Sequence, residues 1–172
     1  RVSFTFVIYT VYMSYSQKYC LVSFIQPPSL NYEFDMADWP LHTTIADVFS
    51  IDRVQTNIEA KLADCLLEQS IVKTYATVDT ILGVTQVTLL HRNMDLVNLH
   101  TKIINLLTLN HAVFNNPEFT NDGYLPHCTI HHTDRLHKGD ELQIVNVSLI
   151  DMFPDGDWKR RKVLKTFQMK SA

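Results

Sequence analysis

Two short segments far apart in the sequence share one pattern: histidine, any residue, threonine, then an apolar residue. They are residues 42–45 (HTTI) and 127–130 (HCTI). Side chains of a β-strand alternate between its two faces, so the histidine and the second threonine of each copy point the same way. Two such strands lying together would present two imidazoles and two hydroxyls on one surface. These four candidate side chains are His42, Thr44, His127 and Thr129.

This set of groups suits the in-line cleavage or formation of a phosphodiester. The reaction needs a base on one side of phosphorus and an acid on the other, and imidazole titrates near pH 6.5, so either form is accessible near neutrality. Threonine hydroxyls can donate to the non-bridging oxygens as charge grows on them. His42 and His127 are therefore the candidate catalytic pair, and Thr44 and Thr129 the candidate phosphate-binding residues. The pattern requires no metal or cofactor and leaves open which histidine is the base.

The rest of the sequence predicts the elements that must position these segments. Residues with an apolar stripe at helical spacing predict two helices, over 53–69 and 95–109. Runs of apolar and β-branched residues predict strands over 18–26, 40–49, 71–79, 84–91, 126–132, 141–153 and 158–169. A polar loop, 111–125, precedes the second histidine segment. The order β-β-α-β-β-α-β-β-β indicates an α+β protein of two related lobes, with helices packed outside antiparallel sheets.

Composition and charge exclude several classes of protein. The 172 residues are 46% hydrophobic and 19% charged, which is typical of one globular domain. No stretch approaches the ~20 apolar residues of a membrane span. Three cysteines without close spacing predict reduced thiols in a cytoplasmic protein. We expect Cys128, between His127 and Thr129, to face the core rather than to act as a nucleophile.

The net charge of −3 argues against a protein that binds long double-stranded nucleic acid. All 18 acidic residues lie at or before Asp157, whereas 6 of the 15 basic residues follow it. This basic end has two interpretations. It steers an anionic ligand, or it is a solvated edge strand protected by lysines.

Other catalytic motifs are missing from the sequence. It has no glycine-rich phosphate loop, no nucleophile elbow and no cysteine pairs spaced for zinc. The histidine-rich segment 127–137 has metal-ligand residue types, so a metal-dependent hydrolase is an alternative. Strand periodicity opposes it, because His131 shares the face of His127 while His132 lies opposite. His131 is instead a candidate to support the catalytic pair.

The paired motifs and their surroundings, residues 39–45 (WPLHTTI) and 123–130 (GYLPHCTI), resemble the two-histidine (2H) phosphoesterase superfamily. This superfamily includes 2′-5′ RNA ligases and 2′,3′-cyclic phosphodiesterases. The resemblance covers about residues 18–169. It implies a bilobal α+β fold with two pseudo-symmetric lobes and a central cleft, formed by residues 18–172 as a single domain. Residues 1–17 are predicted to be an N-terminal extension of unknown role.

The resemblance also implies a function. We expect a metal-independent phosphodiesterase, without cofactor, that acts on 2′,3′-cyclic phosphates or 2′-5′-linked RNA or nucleotides. The expected partner is a small nucleotide or RNA end, and the expected state is a monomer. Hydrolysis is expected over ligation, since no extra basic residue adjoins either motif. The alternative is a non-catalytic module that binds such ligands. Tyr124 either stacks on a base or closes its loop.

Overall fold

The computed structural model describes residues 17–131 and 134–170. Most of the predicted extension, residues 1–16, therefore lies outside the described residues. The described residues contain ten strands: β1 (Lys18–Phe24), β2 (Glu33–Asp35), β3 (His42–Ser50), β4 (Val72–Leu82), β5 (Thr85–Leu90), β6 (Val113–Phe114), β7 (His127–Thr129), β8 (Glu141–Ile144), β9 (Asn146–Asp151) and β10 (Arg160–Gln168). Their α-helices are α1 (Arg53–Thr56), α2 (Ile58–Leu67) and α3 (Met94–Leu109).

All these strands belong to one open antiparallel sheet in the order β2-β10-β9-β1-β3-β7-β5-β4-β8. Strand β6 pairs with the end of β3, outside this path. The first half of the sheet ends with β3 and the second begins with β7, so the two predicted histidine strands meet at the centre. The predicted α+β class and its two antiparallel halves are confirmed.

Helix α3 follows its sequence pattern closely. The Asn93 side chain caps it by accepting a hydrogen bond from the backbone N–H of Leu96 at 2.9 Å. Its apolar stripe is fully buried against the sheet and α2: Leu96, Leu99, Ile103 and Leu107. The predicted helix over 53–69 is instead two helices. It breaks at Asn57, whose φ of 48° is left-handed, a conformation that asparagine tolerates better than most residues.

The predicted strand over 141–153 is also two strands, and they lie in different halves of the sheet. Strand β8 pairs with β4 at the outer edge, whereas β9 pairs with β1 and β10. The burial of the two segments differs accordingly. Residues 141–144 (ELQI) alternate exposed and buried, as an edge strand does, whereas 146–150 (NVSLI) are all buried, as a central strand is.

Three further differences affect the site. Strand β7 ends at Thr129 rather than at residue 132. Strands β2 and β6 lie outside the predicted strands, because two or three residues carry too little periodicity to detect. Strand β10 is an edge strand only in part, since β2 covers Arg160 to Lys162. Within the described part of the chain, no helix is long and apolar enough to cross a membrane.

Candidate active site

The pairing of β3 with β7 determines the geometry of the site. Thr43 lies opposite Cys128 in this antiparallel pair. Both side chains are buried, at 0% and 1% exposed, on the face away from the motif residues. The prediction that Cys128 faces the core is confirmed, and burial raises the pKa of its thiol to about 12.

The opposite face of the same two strands carries the four predicted residues. Because antiparallel partners run in opposite directions, His42 lies across from Thr129, and Thr44 lies across from His127. Each histidine thus has a threonine beside it on its own strand and another on the facing strand. All four side chains are partly exposed. The structure brings the two segments together as the sequence predicts.

The two imidazoles are held by the same backbone contact. His42 Nδ1 lies 2.8 Å from the carbonyl oxygen of Pro40, and His127 Nδ1 lies 2.8 Å from that of Leu125. A carbonyl oxygen only accepts hydrogen bonds, so Nδ1 carries the proton in both rings. This leaves Nε2 of each ring as the nitrogen available to a substrate. Nε2 can accept a proton when the ring is neutral, and it can donate one when the ring is protonated.

His42 is enclosed by aromatic rings. Its ring centroid lies 4.6 Å from that of Trp39 and 5.9 Å from that of Phe24. Burial lowers the pKa of His42 to about 4, the Pro40 carbonyl opposes this, and the charges of His131 and His127 lower it further. His42 is therefore neutral at pH 7, the form that a general base requires.

Trp39 is fixed on its other sides. Phe34 packs edge-on against it at 4.9 Å between ring centroids. The guanidinium carbon of Arg161 lies 6.0 Å from the Trp39 ring centroid. Arg161 is only 8% exposed and donates to the carbonyl oxygens of Met152 and Trp158 at 2.9 and 2.8 Å. The basic end of the chain thus contributes one buried cation, Arg161, which packs against the Trp39 ring.

A cavity of about 600 Å³ opens beside the motifs. Thr44, His127 and Thr129 are among its lining residues, while His42, on the same face of β3 as Thr44, lies outside the lining. The lining also includes Asp47, three residues farther along β3 than Thr44, and Asn116 and Phe119 in the loop after β6. Among the described residues that line the cavity, Asp47 is the only acidic one and none is a lysine or arginine. The volume is in the range of small-ligand sites.

Side chains close a gap in the sheet behind this cavity. Strand β7 covers the start of β3 and β6 covers its end, so the backbone between them needs other partners. The Tyr124 hydroxyl donates to the Thr44 carbonyl at 3.1 Å, and His100 Nδ1 donates to the Ile45 carbonyl at 2.7 Å. His100 Nε2 accepts from the backbone N–H of Asn121 at 2.9 Å, so both ring nitrogens of His100 are bonded.

The position of Tyr124 favours one of its two predicted roles. Its ring stacks on His100 with centroids 3.9 Å apart and an interplanar angle of 4°. Only 6% of Tyr124 is exposed, although it lines the cavity. A base cannot cover a ring that is already buried, so Tyr124 closes its loop onto β3 rather than offering a stacking surface.

His131 lies beyond the end of β7, where its backbone N–H donates to the carbonyl of Asp134 at 3.1 Å. The strand periodicity that we used to place His131 therefore does not extend to it. Its Nε2 is buried without a hydrogen-bond partner among residues 17–131 and 134–170. In that same part of the chain, no three histidine, cysteine or acidic side chains converge as a metal site. His132 lies outside the described residues.

Sequence reasoning missed several residues of the cavity. Asp47 and His100 had a detectable signal. Asp47 is a charged residue within an apolar strand, and His100 is a polar residue on the buried stripe of a helix, and buried polar residues of this kind are uncommon. Asn116 and Phe119 had none, because the loop that carries them shows no periodicity. Strand β6 places this loop by pairing Phe114 with Phe49.

Comparisons with known proteins bear on the fold. No protein-family model and no curated protein sequence matches the chain. Among solved structures, one described as a phosphoesterase has a TM-score of 0.59 at 14% identity, covering 90% of this chain and 98% of that one. E. coli LigT complexed with NADP+ has a TM-score of 0.60 at 12% identity, covering 91% and 99%. E. coli LigT complexed with 3′-AMP has a TM-score of 0.57 at 13% identity, covering 90% and 98%. The chain has the fold of these proteins.

Proposed function

We propose that the protein is a metal-independent phosphodiesterase that acts on 2′,3′-cyclic phosphates or 2′-5′-linked nucleotides and RNA ends. One observation carries this proposal. The register that sets Thr43 opposite Cys128 gathers two imidazoles and two threonine hydroxyls on one face of the sheet. The likeness of the fold to a phosphoesterase and to LigT supports it.

The two histidines take different roles in hydrolysis. His42, neutral because its pKa is lowered, removes a proton from water through Nε2 as the water oxygen attacks phosphorus. His127 donates a proton from Nε2 to the ribose oxygen that leaves. One P–O bond forms and one breaks, which gives a phosphomonoester. Proton exchange with solvent then returns both rings to their starting states.

The threonines hold the phosphate between the imidazoles. Thr44 and Thr129 lie diagonally across the strand pair, each opposite a histidine, so their hydroxyls can donate to the two non-bridging oxygens. Such neutral donors suit a diester, which carries one negative charge. The phosphomonoester product carries up to two, and with Asp47 lining the same cavity it is held less well. The site thereby favours release of product.

The cavity favours a small substrate. Its volume of about 600 Å³ accommodates a nucleotide, and E. coli LigT, which shares the fold, forms complexes with 3′-AMP and NADP+. Residues 1–157 hold 18 acidic and 9 basic side chains, a balance that opposes the binding of a long nucleic acid. A nucleotide or the end of an RNA is therefore the proposed partner, and hydrolysis the proposed direction.

The test is conversion of the four nucleoside 2′,3′-cyclic phosphates in the presence of chelator, followed by ³¹P NMR. We expect a monophosphate product, and a rate lower by ~10²–10⁴-fold in His42→Ala or His127→Ala, the usual share of acid–base catalysis. His137→Ala is the matched control, because that exposed side chain lies outside the cavity lining. Activity that survives both site changes would falsify the proposal. Loss with chelator would indicate a metal-dependent hydrolase, and binding without conversion a non-catalytic module.

A further inference from the structure

Asp47, three residues beyond Thr44 on β3, and Asn116, on the loop after β6, form a polar pair in the cavity lining that takes no part in the proposed proton transfers. Asn116 Nδ2 donates to Asp47 Oδ2 at 2.8 Å. Because a carboxylate only accepts hydrogen bonds, the amide nitrogen of Asn116 must face Asp47. The backbone supports this contact, since the N–H of Asn115 donates to the carbonyl of Val48 at 2.9 Å. The loop that carries Asn116 is therefore joined to β3 by a backbone hydrogen bond as well as by the side-chain contact.

The free hydrogen-bonding groups of this pair are mainly acceptors. Asp47 retains Oδ1 and a second lone pair on Oδ2, while Asn116 retains its amide oxygen and one N–H. No lysine or arginine among the described lining residues neutralises Asp47. A ligand group that approaches Asp47 must therefore present N–H or O–H donors to a negative charge.

This charge also determines which part of a nucleotide lies here. A phosphate beside Asp47 would be repelled, whereas Thr44 and Thr129, beside the two histidines, offer hydroxyl donors. The phosphate therefore belongs with the threonines and the nucleoside with Asp47. Phe119, 52% exposed at the cavity wall, offers an aromatic face on which a base can stack.

We propose that Asp47, held by Asn116, selects guanine in the substrate by accepting hydrogen bonds from its N1–H and its exocyclic amine. Guanine alone among the four bases has two adjacent donors on its Watson–Crick edge. Adenine and cytosine place a ring acceptor beside their amine, and uracil has one N–H between two carbonyls. These acceptors would face the Asp47 carboxylate, which repels them. This inference rests on the proposed function, since it names the substrate of the same cavity.

The kinetic test compares the 2′,3′-cyclic phosphates of guanosine, inosine and adenosine. Inosine retains N1–H and lacks the exocyclic amine. We expect kcat/KM to fall from guanosine to inosine to adenosine, with about 10–100-fold between the first and last, the usual value of a bidentate base contact. Asp47→Asn keeps an acceptor for Asn116 but turns a donor toward the base. It should remove most of the preference for guanosine by lowering kcat/KM for guanosine, and it should raise kcat/KM for adenosine, whose ring acceptor no longer faces a carboxylate.

The control variant is Asp79→Asn, another partly exposed acidic residue of the sheet that lies outside this cavity. It should retain the preference for guanosine. An equal loss for all three substrates in Asp47→Asn would overturn the inference, since Asp47 would then hold a group common to every nucleoside. An unchanged preference would overturn it as well. Both outcomes leave the proposed function intact, because the histidine variants test that separately.

Binding gives a measurement that does not depend on turnover. Calorimetric titration of wild-type protein and Asp47→Asn with 2′-GMP and 2′-AMP should show a preference for 2′-GMP that the variant loses. If no cyclic phosphate is hydrolysed and this preference is still observed, the catalytic proposal fails and guanine selection stands. If hydrolysis occurs and neither kinetics nor binding depends on Asp47, guanine selection fails alone. Thermal unfolding of Asp47→Asn confirms that the variant is folded.

Discussion

Thr43 and Cys128 lie opposite each other where the two halves of the sheet meet, and both point into the interior. Their register decides which residues share the other face. A shift of one residue in either strand would send a histidine and a threonine into the core. Burial of this pair therefore maintains the alignment of the two motifs.

The neighbouring threonines of β3 provide a matched pair of variants. Thr43 Oγ1 is buried and has no hydrogen-bond partner among the described residues, so Thr43→Val removes an unsatisfied hydroxyl at nearly constant shape. We expect the free energy of unfolding to rise by about 1 kcal/mol, with kcat/KM unchanged. Thr44→Val, on the opposite face, should leave stability nearly unchanged and lower kcat/KM by about 10–100-fold. Urea unfolding and initial rates measure both, and equal effects from the two variants would contradict the assigned faces.

The low pKa of His42 predicts how activity depends on pH. In the free enzyme, His42 loses its function as base only when pH falls through its pKa, so the acid limb of kcat/KM should lie near pH 4. Bound phosphate places a negative charge beside the ring, which raises the pKa of His42 in the complex. The acid limb of kcat should therefore lie at higher pH than that of kcat/KM. Coincident limbs, or a limb of kcat/KM near 6.5, would show that His42 is not a base of lowered pKa.

Trp39 should account for part of the lowered pKa of His42. In Trp39→Leu, a smaller side chain admits water to the His42 ring, which lowers the desolvation of the charged imidazole. We expect the acid limb of kcat/KM to move upward from pH 4 toward 6.5, with a lower rate at pH 7 from the less firmly placed ring. Trp158→Leu is the control, since Trp158 is exposed and lies outside the aromatic contacts of His42. A change in the pH of the acid limb would show that Trp39 sets the environment of His42. A lower rate with an unchanged acid limb would indicate general damage to the structure.

How much of the site could be predicted from the sequence depended on which residues carry a periodic signal. His42, Thr44, His127 and Thr129 lie in strands, where a two-residue spacing fixes a shared face. Their meeting followed from the symmetry of the two halves. The register itself did not, because it depends on how Thr43 and Cys128 pack in the interior.

The rest of the cavity was beyond such reasoning for physical reasons. Asn116 and Phe119 lie in a loop whose position depends on the two-residue strand β6, which is too short to leave a pattern. The predicted continuous strand over 141–153 failed because a strand run gives no sign of a change of partner at Val145. Local patterns predicted the elements, and long-range pairing determined how the loops around the cavity are placed.

His100 provides a final prediction, on stability. Its Nδ1 donates to Ile45 and its Nε2 accepts from Asn121, so only the neutral ring satisfies both contacts. Burial lowers the pKa of His100, with the charge of Arg92 adding to the effect. A lowered pKa in the folded state means that the unfolded chain binds the proton more readily. The stability from His100 is therefore complete above the ordinary pKa of about 6.5 and is lost as pH falls below it.

His100→Phe keeps an aromatic ring against Tyr124 but removes both hydrogen bonds and the titration. At pH 7.5 we expect the variant to be less stable than the wild type by about 2 kcal/mol, since the buried Ile45 carbonyl loses its partner. At pH 5 the difference should shrink, because the wild type has lost part of the same stabilisation. His137→Ala, at an exposed site, should show no such convergence. Urea unfolding at the two pH values tests this, and a constant difference between wild type and His100→Phe would mean that His100 does not act as a neutral link between β3 and the cavity loop.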